Sequence, residues 1–225
     1  MFFKTAFLVL RKDFAIELKS FEILSTTLFF AVGCVLVFAF ALVKEGQAPP
    51  DAAAAILWIA LLFAGTLALG RTFERERYGE TLRALMLAPA PRPALYLGKL
   101  LGILMLLGLT EALLVPLVAL LFSAPLLARP LLLAAVLIAG TVGFAAVGTL
   151  FAAMLMRART RDVLLPILLY PITIPVIIAG VRATSALLAS PSDDPTAIMW
   201  LAILLSFDVV FVTLSLWTFE PLMTE

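Results

Sequence analysis

Histidine is absent from the 225 residues, and cysteine occurs once, as Cys34. A zinc site of the usual Cys/His kind, a bis-histidine heme site, a histidine-based triad and an intrachain disulfide are thereby excluded within the chain. Charge is also scarce, at 14% of residues, and it nearly cancels to +1, which gives no ground for a nucleic-acid partner. Apolar residues make up 64%, against about 45–50% in a soluble globular domain. An ordinary soluble domain does not fit this composition. Six charge-poor stretches, 23–43, 52–70, 100–128, 130–156, 163–181 and 197–219, are each near the roughly 20 helical residues that cross a hydrocarbon layer. The expected fold is all-α, a single polytopic membrane domain over 1–225 with six transmembrane helices. Only short loops remain outside the spans, too little for an independent aqueous enzyme.

The few charges are unevenly placed. With six crossings, one side of the membrane receives 13 of the 16 basic residues. These are Lys4, Arg11, Lys12 and Lys19, then Arg71, Arg75, Arg77, Arg83, Arg92 and Lys99, then Arg157, Arg159 and Arg161. Lys44, Arg129 and Arg182 fall on the other side. The positive-inside rule then predicts a multi-pass membrane protein with both termini cytoplasmic. The first twenty residues do not read as a signal peptide, because Arg11, Lys12 and Asp13 interrupt their apolar run. Phe3, Phe7, Leu10, Phe14, Leu18 and Phe21 instead recur at helical spacing, predicting an interfacial amphipathic helix over 1–22 that packs beside the bundle.

Between the second and third spans, seven of the thirteen residues 71–83 are charged with interleaved signs, followed by the apolar Leu82, Leu85 and Met86. Arg71 with Glu74 and Glu80 with Arg83 have the spacing of helix-surface pairs, and Pro89 and Pro91 end the pattern. A short helix with a charged half and an apolar half suits docking into a cytoplasmic partner, so 71–91 reads as a coupling segment. Its candidate contacts are Phe73, Glu74, Glu76, Gly79, Glu80, Leu82, Leu85 and Met86; a solvated topological loop is the other reading. Gly98-Lys99 lacks the glycine five positions earlier that a phosphate-cradling loop needs, so ATP would bind a partner subunit.

Glu111 and Asp208 lie deep within the third and sixth spans, where carboxyl groups are costly and mark either a polar pathway or a structural interhelical bond. Gly98 and Gly102 have the spacing of a close helix crossing, while Gly140, Gly143 and Gly148 thin one surface of the fourth span. The fifth stretch carries Pro166, Pro171 and Pro175, which predicts a kinked or re-entrant segment. Within it Thr173 is expected to bond a carbonyl freed by proline, and Tyr170 is either a substrate contact or a packing aromatic. Pathway candidates are thus Glu111, Tyr170, Pro171, Thr173, Pro175 and Asp208, with no metal ligand and no catalytic group.

Two of these segments carry a resemblance. Phe73 to Pro91, notably Gly79, Leu82, Leu85-Met86-Leu87 and Pro89-Ala90-Pro91, and the run Leu169-Tyr170-Pro171-Ile172-Thr173-Ile174-Pro175 together resemble CcmB. That family supplies the membrane subunit of the cytochrome c maturation ABC transporter and is often called heme exporter protein B. The resemblance implies an export-type ABC permease fold, a non-catalytic role, contact with the ATPase CcmA, association with CcmC and CcmD, and a functional link to the heme chaperone CcmE. It also implies two copies of the chain per complex and a place in the bacterial inner membrane. Heme enters as substrate or as a partner's ligand, and ATP in the partner; direct heme ligation here would have to use Met, Tyr, Cys or a carboxylate. Other readings are a permease for a different amphipathic substrate and a non-translocating scaffold for an ATPase. An integral membrane enzyme is less favoured, since Glu111 and Asp208 have no catalytic spacing.

Overall fold

The structure is a computed structural model and describes residues 2–44, 48–49, 51–72, 92–158 and 160–222. Seven long helices account for nearly all of them: α1 (Phe2–Ser20), α2 (Glu22–Leu42), α3 (Ala52–Thr72), α4 (Arg92–Leu121), α5 (Pro130–Met154), α6 (Arg161–Leu188) and α7 (Asp194–Leu222). Six of them, α2 to α7, are long and apolar enough to cross a membrane, so the chain is an all-α, multi-pass membrane protein. The predicted coupling contacts Phe73, Glu74, Glu76, Gly79, Glu80, Leu82, Leu85 and Met86 lie outside the described residues, as do Arg75, Arg77, Arg83 and Arg159 of the charge count.

Helix boundaries depart from the apolar runs where a helix outlasts its hydrophobic part. α4 begins at Arg92, not near residue 100, and its 30 residues span about 45 Å, more than a hydrocarbon core of roughly 30 Å. Its charged first turns therefore project beyond the apolar layer. At the other end it stops before Ser123, which has a left-handed φ of 50°, and a short 3-10 turn at Leu126–Ala128 follows. α6 likewise runs on past Arg182, Thr184 and Ser185.

α6 also overturns the re-entrant reading of the fifth segment: it is one helix of 28 residues with Pro166, Pro171 and Pro175 inside it. Pro171 and Pro175 are on its outward face, whereas Leu169, Thr173 and Val176 make the buried stripe. The Thr173 hydroxyl donates to the carbonyls of Leu169 (3.0 Å) and Tyr170 (3.3 Å). Those are not the carbonyls that lose a donor to proline, which four residues back are Asp162, Ile167 and Pro171, so the expected compensation by Thr173 does not occur.

α3 and α5 are central, with 72% and 67% of their most apolar stretches buried, whereas only 11% of the corresponding stretch of α7 is covered. α7 touches the bundle along a narrow line through Ala197, Leu204, Asp208, Ser215 and Phe219, at alternating spacings of seven and four. At the ends of the bundle, Arg71 pairs with Glu22 at 3.5 Å and Arg129 with Asp194 at 3.2 Å, as alternating up-and-down spans require.

α1 packs beside the bundle, against α4, through a narrow face of small residues. The predicted aromatic stripe looks outward, with Phe3 78% and Phe7 60% exposed, and the small Ala6 and Val9 make the contact. The reason is Gly98, whose missing Cβ would come within 2.7 Å of Val9 Cβ and 2.8 Å of the Ala6 carbonyl. Asp13 ties α1 down further, bridging Lys12 (3.1 Å) and the buried Lys99 (2.7 Å). The chain then turns into α2 at Phe21, in the left-handed region with φ 49°, and a Phe has no side-chain oxygen with which to cap a helix. The Glu17 carboxylate serves instead, accepting the Leu24 N–H at 2.8 Å.

Candidate functional site

The intramembrane polar groups gather on the flanks of α5. Glu111 of α4 is buried and accepts a hydrogen bond from the hydroxyl of Thr141 on α5. Asp208 of α7 is buried against Gly143 of α5, where a Cβ would stand 2.6 Å from its Oδ1. That Oδ1 has no hydrogen-bond partner among the described residues. Positions 141 and 143 are about 200° apart around a helix, so the two carboxyl groups approach α5 from different sides and form no pair. No Lys or Arg among the described residues forms an ion pair with either of them, and no cluster of three potential metal ligands occurs there.

Toward the end of α5 nearer Met154, the same seams continue as hydroxyls. The Tyr96 hydroxyl donates to the Ala146 carbonyl at 2.9 Å, and Thr149 and Ser215 are fully buried. The hydroxyls of Thr149 and Ser215, together with Asp208 Oδ1, give the α5 seams a polar content that apolar packing alone does not need.

The remaining pathway candidates separate by position. Thr173 is buried, Tyr170 is half-buried, and Pro171 and Pro175 are exposed on the outer face of α6. Tyr170 meets Phe63 edge-on at 6.2 Å, and Phe63 meets Phe30 at 6.4 Å, so an aromatic row joins α2, α3 and α6. The structure thus groups Glu111 and Asp208 around α5 and leaves Pro171 and Pro175 on the outer face of α6.

A family model described as CcmB protein matches residues 4–221. The chain belongs to the CcmB family. Curated CcmB relatives named heme exporter protein B include that of Haemophilus influenzae, 31% identical over 208 residues that cover 92% of this chain and 91% of the relative. The protein of Escherichia coli is 32% identical over 179 residues, covering 79% and 80%. That of Pseudomonas aeruginosa is 29% identical over 184 residues, covering 80% of each. The similarity therefore runs through all six spans of this CcmB chain.

Several structurally decisive residues were not legible as such. Trp58 of α3 lies in a slot between Gly140 of α5 and Gly180 of α6, and its indole N–H donates to Thr184 Oγ1 at 3.0 Å. A lone Trp in an apolar run gives no hint of that partner 126 positions away. Arg161, counted only as a topological cation, is buried at the start of α6; its Nε lies 3.9 Å from Asp162 and, like Nη1, has no hydrogen-bond acceptor among the described residues.

Proposed function

We propose that this chain is the non-catalytic membrane subunit of an ABC transporter complex for cytochrome c maturation. It couples ATP hydrolysis in a partner ATPase to heme delivery or to release of the heme-loaded chaperone. The observation that carries the proposal is the near full-length relationship to proteins named heme exporter protein B. The sequence supports a divided labour, because the chain has no phosphate-cradling loop and so must receive its driving force from elsewhere. The partners follow from the family: CcmA as ATPase, CcmC and CcmD in the complex, CcmE downstream, and two copies of this chain in an export-type permease arrangement. The family points to the bacterial inner membrane, and the 13 basic residues on the side of both termini favour that side as cytoplasmic.

In this mechanism residues 73–87 receive the motion of the closing ATPase dimer and pass it to α3 and α4, the helices that flank them. α4 carries Glu111 and contacts α5 through Thr141, so a displacement of α4 reaches the polar seams of α5 directly. A change in those contacts between two states is what coupling requires. Glu111 and Asp208 act as intramembrane polar groups whose contacts with α5 change as the helices shift, and heme passes as substrate or stays on a partner subunit.

The test is affinity purification in mild detergent from native membranes, with identification of copurifying proteins and heme. CcmA, CcmC and CcmD are expected with the wild type, and Glu74→Arg, Glu80→Arg, Leu82→Ala and Leu85→Ala are expected to lower ATPase recovery or coupled turnover with normal membrane insertion. Recovery of a different ATPase without heme would overturn the maturation role in favour of a permease for another amphipathic substrate. Unchanged assembly and turnover in all four variants would overturn the coupling assignment.

A further inference from the structure

A cavity of about 510 Å³ lies in the crook between α1, the start of α2 and α4. Its floor is Gly102, one turn beyond the Gly98 contact that holds α1. A Cβ at Gly102 would meet only Leu10 Cδ1, at 4.0 Å, an ordinary contact distance, so this position has room that Gly98 lacks. Polar groups line the cavity near the membrane surface: Lys12, Asp13, Glu17 and Lys99, two of each sign. Below them the walls are apolar, and they descend along α4 through Met105 to Leu109, both exposed on the outer surface.

We infer that this groove is a binding site for one phospholipid of the leaflet on the side of both termini, with a zwitterionic phosphatidylethanolamine headgroup. Length and charge both point to this occupant. From Lys99 to Leu109 is ten residues, or about 15 Å along the helix, which is half of a hydrocarbon core of roughly 30 Å. The groove therefore has the depth of one leaflet, with its charged residues at one end and apolar walls at the other, the distribution of an amphiphile. At the rim the charges are two of each sign and largely satisfy one another, Asp13 bridging Lys12 and Lys99 while Glu17 accepts the Leu24 N–H, so the rim is neutral overall and matches a zwitterionic headgroup better than one of net charge. The outward aromatic face of α1 keeps the groove mouth in contact with the bilayer, so a lipid enters sideways without crossing water. The site is independent of what the protein exports; the export reading only identifies the leaflet as cytoplasmic.

The experiment is native mass spectrometry of the full-length chain, delipidated in mild detergent and reloaded with an equimolar mixture of phosphatidylethanolamine and phosphatidylglycerol. A phosphatidylethanolamine with a photoreactive acyl chain then maps the contact. The wild type is expected to retain one phosphatidylethanolamine and to be labelled in the peptide holding Met105 and Leu109. Gly102→Leu fills the floor and is expected to lower occupancy about tenfold, a change of about 1.4 kcal/mol, whereas Gly102→Ala retains the lipid. If Gly102→Leu does not fold, Leu109→Trp narrows the deep end from the exposed side of α4 and is expected to give the same loss. No retained lipid, equal retention of phosphatidylglycerol, unchanged occupancy in the filling variants, or labelling elsewhere would each overturn the site. So would a crosslink from Met105→Cys to residues 73–91 in lipid-free protein that persists after reloading.

Discussion

Gly140 and Gly180 hold Trp58 between them so closely that a Cβ on Gly180 would lie 2.5 Å from the indole, whereas a Cβ on Gly102, one turn past the tight contact at Gly98, would meet only Leu10 at 4.0 Å. In lipid, helices gain little from excluding water, so contact itself carries the association. At the α3, α5 and α6 junction the small residues are used up by the bulkiest side chain of the chain, and the Thr184 hydroxyl satisfies its one donor. Along α1 and α4 one glycine is filled by a neighbouring helix and the other is left as the floor of a groove. The same residue type thus makes a rigid joint in one region and a vacancy in the other, and the difference lies in what the facing helix supplies.

That contrast predicts a graded set of responses, read as unfolding free energy in detergent. Trp58→Ala should have the largest effect, a loss of about 3–5 kcal/mol, because it empties a slot whose walls are fixed on both sides. An unchanged unfolding transition would show that the junction is loose. Gly180→Val should cost about 1–3 kcal/mol by forcing the indole out of its slot. Asp13→Asn removes the charge between Lys12 and Lys99 and should weaken α1 docking by about 1–3 kcal/mol, seen as faster proteolysis within residues 2–20 while α3 and α5 stay protected. Gly102→Ala should do the opposite of Gly180→Val, raising stability by up to about 1 kcal/mol, since its Cβ meets only an ordinary contact and Ala favours the helix. A loss of stability at Gly102→Ala would mean that the groove is closed.

The smallest effect concerns the loop before α7. Hydrogen bonds from the Thr196 side chain and then its backbone N–H hold the exposed Asp193 carboxyl below its ordinary value of 3.8. A lowered folded-state value means that its support of the α7 start is fully present above the ordinary value and is lost as the pH falls through the lowered one. Amide protection of residues 194–198 should therefore weaken in acid for the wild type and show no such step in Asp193→Asn, a comparison that hydrogen exchange can make.

Legibility differed between elements for physical reasons. The six spans were readable because an apolar run of about twenty residues has few other destinations, although α4 and α6 extend past their apolar parts into polar turns. α1 is readable as amphipathic, but its spacing does not single out Ala6 and Val9 as the face that packs on α4. Periodicity shows that a helix has two kinds of face, and in a membrane the more apolar one is drawn to lipid as readily as to protein. Glu111 and Asp208 were singled out because a carboxyl group at that depth needs a reason, but Thr141 and Gly143 as their neighbours on α5 were not foreseeable. Of the candidates on α6, Pro171 and Pro175 face outward, since spacing along the helix does not say which side the bundle occupies.

By itself, the sequence determined that this is a membrane chain with six spans, that 13 of its 16 basic residues share the side of both termini, and which chemistries are absent with histidine. Those properties depend on totals and local runs, and transfer between water and lipid depends on the same quantities. Only the tertiary structure decided that Asp208 and Glu111 lie on separate flanks of α5, that Trp58 bridges three helices, and that Gly102 opens a groove. Those outcomes depend on the rotation and separation of neighbouring helices, which are set by pairs of side chains far apart in the chain.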